Sequence, residues 1–261
     1  MGAILNNRFV KWVLAPVVVL CALVVATWVY YQYEYPTCTF RYKLTAEVQT
    51  PDGVKTGSSV VEVSYSHSGD WGGGQHANLN LLGDAVDVDL GSGKNLFLLL
   101  TNREAGPSRP RFSPSGNPSF AGGPLDAFSL PLKIFELKWI FGQEPKLCSD
   151  YAVASASAKP VIPFENLPTL VTFTDIADPS SVKVVQPENF ETDFGAGYRF
   201  INAKIEPTTD VSSHNIEQVL PWWNSYKPVW IHKGFAVNYP LIDNLGYDAF
   251  RGYQKSDDGG K

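Results

Sequence analysis

From Trp12 to Tyr31 the chain runs for twenty residues without a charged side chain. As a helix, at about 1.5 Å per residue, that run spans roughly 30 Å, the hydrocarbon thickness of a bilayer. No second run of this kind follows, so the sequence divides into a short tail (1–11), a transmembrane helix (12–31) and a large exported body.

The basic residues orient the span. Arg8 and Lys11 precede it, whereas Glu34 follows before Arg41 and Lys43. Basic flanks stay in the cytoplasm, so the body is expected in the periplasm of a bacterial inner-membrane protein. Trp12 marks one end of the run; Trp28, Tyr30, Tyr31, Tyr33 and Tyr35 crowd the other. Such rings favour the headgroup zone, being apolar in body and polar at one edge, and a discarded signal peptide gains nothing from them. The competing expectation is a signal peptide cleaved after Val24-Val25-Ala26, which would release a secreted body beginning near Thr27. Pro16 is tolerated in a membrane helix. Cys21 follows Leu20, which is too bulky for lipoprotein processing.

Outside the span only Cys38 and Cys148 remain. Two thiols in an oxidising compartment tend to pair, and this bridge would close a loop of about 110 residues. The net charge of −5 comes with interspersed signs and no basic patch, which argues against a nucleic-acid partner.

Alternation of period two predicts strands at Phe40–Val48 and Ser59–Tyr65, paired across Pro51-Asp52-Gly53. A second hairpin is expected from Asp84–Leu90 and Asn95–Thr101 around Gly91-Ser92-Gly93; Leu96–Leu100, apolar on both faces, should be a central strand. Thr169–Thr174 and Tyr198–Glu206 read as strands, and Phe128–Phe141 as strand-like with a turn at Pro131. The Pro/Gly-rich stretch 103–124 reads as a surface loop or flap. Short helices are expected at Pro187–Gly195, with Phe190 and Phe194 on one face, and at Ser213–Leu220. The fold class is therefore mainly β, a β-rich α+β chain. An antiparallel, sandwich-like domain over 36–250 carries one or two short helices, and 251–261 forms a disordered tail.

A resemblance enters with Leu167-Pro168-Thr169-Leu170-Val171-Thr172-Phe173, Asp175, Asp178-Pro179-Ser180-Ser181-Val182, Pro187-Glu188-Asn189, Phe194-Gly195-Ala196-Gly197-Tyr198 and Leu220-Pro221-Trp222. This string, over about residues 165–223, resembles an uncharacterised group of proteobacterial single-pass membrane-anchored proteins, and the Arg41–Val63 hairpin is similar to theirs. The resemblance implies an envelope setting and a lineage. It carries no reaction and no catalytic residues.

Chemistry has few places to reside. His67, Asp70 and His76 flank Gly72-Gly73-Gly74 and are candidate zinc ligands, although the spacing His-x2-Asp-x5-His matches no preorganised motif. No Gly-x-Ser-x-Gly elbow is present, and the glycines lack the Lys and Ser/Thr of a phosphate loop. Cys148 and a histidine could form a dyad only if the thiol were free. Asp175 and Asp178 could suggest a carboxylate pair, but Asp178, before Pro179, reads more simply as a turn or helix-start residue. The C-terminal aromatics, including Trp222, Trp223 and Trp230, are either core or a stacking surface for glycans or a protein.

The leading expectation is a non-enzymatic envelope interaction or assembly module. It has no cofactor, contacts lipid through residues 12–31 and binds an envelope protein partner. The alternatives are a metal-dependent periplasmic hydrolase using His67, Asp70 and His76, and a glycan-binding module.

Overall fold

A computed structural model describes residues 7–69, 74–100, 111–112, 118–119, 125–156, 160–225 and 247–252. Helix α1 (Asn7–Glu34) contains the apolar run, with Pro16 inside it, and its window Leu14–Tyr31 is exposed along its whole length. Such a helix has the length and composition of a membrane anchor or a signal sequence. Only Tyr35, Pro36 and Thr37 separate it from the first strand.

Strands β1 (Cys38–Thr50) and β2 (Gly53–Gly69) form the long hairpin anticipated from their alternation, with Gly53 at φ +114° taking the left-handed turn position. Strand β3 (Gln75–Asp84) pairs with β2, and β10 (Arg199–Pro207) with β1. A second antiparallel sheet has the order β4 (Val86–Gly91), β5 (Lys94–Leu98), β8 (Leu170–Phe173) and β9 (Val182–Val185). A short ribbon, β6 (Arg111–Phe112) with β7 (Pro118–Ser119), is all that is described of the Pro/Gly-rich stretch; the remainder of 103–124 lies outside the described residues.

The two sheets pack face to face, but their lengths differ. Strands of four to six residues cannot cover strands of thirteen and seventeen. Far from α1, the inner face of the long hairpin meets β4 so closely that Gly57 is required. A Cβ there would fall on the Asp87 carbonyl and lie 2.8 Å from Val88 Cγ2. Near α1, the inner face is covered by residues 125–155 instead. There α2 (Ser129–Ile134) and α3 (Glu144–Ser155) flank a loop carrying Trp139, which is fully buried. Tyr42 and Tyr65 on the hairpin donate their hydroxyls to the Ala127 and Phe128 carbonyls at 2.7 and 2.6 Å. Burial holds both phenols well above their ordinary pKa, so they remain donors.

Strand β5 is central, as its apolar faces imply, and it separates two cores. Leu96, Leu98 and Leu100 enter the main core, while Phe97 and Leu99 join Phe173, Trp222, Trp223 and Phe250 in a second. Asn95 extends the β5–β8 ladder with its side chain, giving Nδ2 to Phe173 O and accepting from Phe173 N.

Cys38 and Cys148 are joined as a disulfide, with Cα atoms 5.5 Å apart, which fits an oxidising compartment. It fastens α3 to the first residue of β1.

Three expectations need correction. Phe128–Phe141 is not strand-like: Pro131 sits within the first turns of α2, where a missing N–H leaves no bond unmade. Helix α3 escaped the sequence reading because its buried stripe is thin, only Glu144, Leu147, Tyr151 and Ser155. The tail does not begin at 251. After α6 (Tyr247–Phe250), Arg251–Gly252 forms β11 against Asp84 and Gly83; residues 253–261 lie outside the described residues.

Candidate functional site

A group of polar and aromatic side chains gathers where α1 meets the sandwich. Alternation along β2 turns Val61, Val63, Tyr65 and His67 inward. Beyond Trp139 the chain turns at Gly142, φ +80°, and Glu144 opens α3, where the helix N-terminus favours a carboxylate. His67 Nδ1 lies 2.9 Å from Glu144 Oε1, which also accepts from Trp139 Nε1 at 3.1 Å. Gly142 N–H approaches the same ring nitrogen at 3.3 Å. His67 is 5% exposed and Glu144 wholly buried, and among the described residues Glu144 Oε2 has no hydrogen-bond partner. Two rings contact the imidazole: Phe141 stacks at 5.5 Å and Tyr35, one residue past α1, tilts against it at 5.3 Å.

A histidine held by a carboxylate is an arrangement used in catalytic triads and metal sites. In this case the two ring contacts and the near-complete burial suit it to fixing one element against another.

The candidate zinc ligands are separated by strand register. Ala77 stands opposite His67, whereas His76 stands opposite Ser68. Directly paired residues share a face and neighbours along a strand alternate, so His67 points inward and His76 outward. Both lie on strands, not on the glycine loop; Asp70 lies outside the described residues. Among the described residues no group of three His, Cys, Asp or Glu is placed to hold a metal ion.

The other candidates have structural roles. Cys148 is consumed by its disulfide. Asp178 Oδ1 accepts from Ser180 N at 2.8 Å and Asp175 Oδ1 from Ala177 N at 2.9 Å, so both acids cap turns. Trp222 and Trp223 are 7% and 8% exposed in the second core, and Trp222 Nε1 donates to Ile176 O. Trp230 lies outside the described residues.

Two acids went unnoticed in the sequence. Asp84 is completely buried and accepts from Arg251 Nε at 2.7 Å, from Arg251 Nη2 at 3.1 Å, and from the Asn215 and Ile216 N–H groups that open α5 (Ile216–Val219). It ties β3, α5 and β11 together, and no local signal in Leu82-Gly83-Asp84 announces it. Asp87 on β4 is pushed up to about 6, first by burial and then by neighbouring Asp89. Its mark in the sequence is two acids alternating with Val86, Val88 and Leu90.

No protein-family model matches the chain, and neither curated proteins nor solved structures match it.

Proposed function

We propose that this chain is a single-pass membrane protein whose β-sandwich is held at the outer face of a bacterial inner membrane and serves as an interaction or assembly module of the envelope. One observation carries the reading: an apolar helix, exposed from Leu14 to Tyr31, runs within three residues into a strand whose first residue is bridged to α3. Basic Arg8 and Lys11 before the helix favour a cytoplasmic N-terminus. The aromatics at its far end favour retention over cleavage, and the Cys38–Cys148 pair suits the periplasm. Among the described candidates, Asp175 and Asp178 cap turns, Trp222 and Trp223 fill a core, Cys148 is bridged and His67 is held at the junction.

Crosslinking of the full-length protein in intact cells, followed by purification from membranes and mass spectrometry, tests the role. A single dominant envelope protein captured with the chain supports an assembly module and names its partner. Recovery of the chain alone at every crosslinker length counts against it.

A further inference from the structure

Strand β2 does not stop where β1 begins. Cys38 pairs with Tyr65, and β2 continues through Ser66, His67 and Ser68 to Gly69, which pairs with Gln75 at the start of β3. Four residues beyond Cys38 amount to about 13 Å of strand. The overhang therefore runs back along the connecting residues towards α1. Its last described residues reach the level of Tyr35, whose ring packs on His67 and whose hydroxyl would lie 3.0 Å from a Cβ on Gly69.

That level can be placed relative to the apolar run. Tyr35 is one helical turn past Tyr31, its ring tilted against Tyr31's at 5.0 Å and its N–H bonded to the Tyr31 carbonyl. Four residues correspond to about 6 Å. A headgroup layer is roughly 5–7 Å deep on each side of the hydrocarbon. If α1 spans the bilayer, the paired ends of β2 and β3 at Gly69 and Gln75 lie in that layer.

The described surface of the overhang suits the position. Gln75–Asn78 are exposed, and the stretches 66–69 and 74–78 contain no acid and no Lys or Arg in a chain of net charge −5. Hydroxyls, amides and imidazole take their place and can donate to phosphate and ester oxygens. Asp70, in the connecting segment, lies outside the described residues. Several contacts brace the junction: Tyr35 and Phe141 against His67, the His67–Glu144 bond and the Cys38–Cys148 bridge.

We infer that the described ends of β2 and β3, Ser66–Gly69 and Gln75–Asn78, are a second membrane contact, docking the sandwich onto the phospholipid headgroup layer beside its own anchor. The inference rests on the reading of α1 as a membrane span.

The test uses the full-length chain in nanodiscs of phosphatidylethanolamine and phosphatidylglycerol, with its disulfide oxidised. An environment-sensitive fluorophore is placed on native Cys21, or on Gln75→Cys or Asp52→Cys in a Cys21→Ala background. Quenching is read from nitroxides on the lipid headgroup and within the acyl chain. Asp52 serves as the distant reference, at the far turn of the hairpin and about 40 Å along β1. The expected result is acyl-nitroxide quenching at Cys21 and headgroup quenching at residue 75 severalfold above that at residue 52. Quenching at Cys21 with residues 75 and 52 equally unquenched would overturn the docking and leave the anchor standing. Loss of quenching at Cys21 as well would overturn both. A residue-75 signal that follows protein concentration and ignores headgroup nitroxide would make a second copy the occupant and likewise overturn it.

Discussion

Asp84 offers the sharpest test of how the chain holds its C-terminal elements. Replacing it with Ala removes a carboxylate that receives two bonds from Arg251 and one each from the Asn215 and Ile216 backbone. Arg251 is 27% exposed and keeps Glu217 as a partner at 2.6 Å, so its stranded charge finds water and a second acid. That places the ion-pair loss at the lower end of the roughly 3–5 kcal/mol typical of broken buried pairs. The buried Ile216 N–H loses its acceptor, a penalty of about 1–3 kcal/mol. Together, and without assuming additivity, we expect about 3–4 kcal/mol. Urea unfolding of the full-length chain in detergent, followed by tryptophan emission, measures it. Trp222 and Trp223 pack against Phe250, and the Arg251 guanidinium lies 5.5 Å over the Trp223 ring, so emission should also red-shift before the main transition. A double-mutant cycle with Arg251→Ala should return a coupling above about 1 kcal/mol. A loss below about 1 kcal/mol with unchanged emission would refute the view that Asp84 clamps β11 and α5.

Gly57→Ala should destabilise by about 1–3 kcal/mol or more, read as a lowered Tm, because the methyl meets the Asp87 carbonyl rather than a movable side chain. Cys38→Ser should remove on the order of 4–5 kcal/mol in the chain-entropy account, and non-reducing and reducing peptide maps of the native chain should differ at Cys38 and Cys148 alone. Asp87 has a folded pKa of about 6, raised above its ordinary value of 3.8, so the folded chain binds the extra proton and loses stability as pH rises from about 4 through 6. Asp87→Asn should therefore stabilise the protein at pH 7 and have little effect below pH 4 in matched denaturation curves; a gain independent of pH would rule out this origin.

The sequence read well where its own pattern decides the outcome. The β1–β2 hairpin, the central strand at Leu96–Leu98 and the Phe190–Phe194 turn, helix α4 (Phe190–Phe194) with rings 5.0 Å apart, all follow from periodicity and punctuation. The disulfide was legible from compartment and count. Misreadings arose where long-range packing overrides local signal. Helix α3 buries only four positions, and Pro131 marks a helix start instead of a turn. The pairing partner of His67 lies 77 residues away on another element, and register alone turns His76 to the opposite face. Asp84 and Arg251, 167 residues apart, carry no local mark of their bond.

The most direct measurement of the central claim is the intact mass of the protein recovered from alkaline-washed membranes. An uncleaved chain, retaining Arg8 through Tyr35 in the membrane pellet, is the result this account expects. A mature form beginning near Thr27 and released by the wash would contradict it, making the apolar helix a signal and the sandwich a secreted domain.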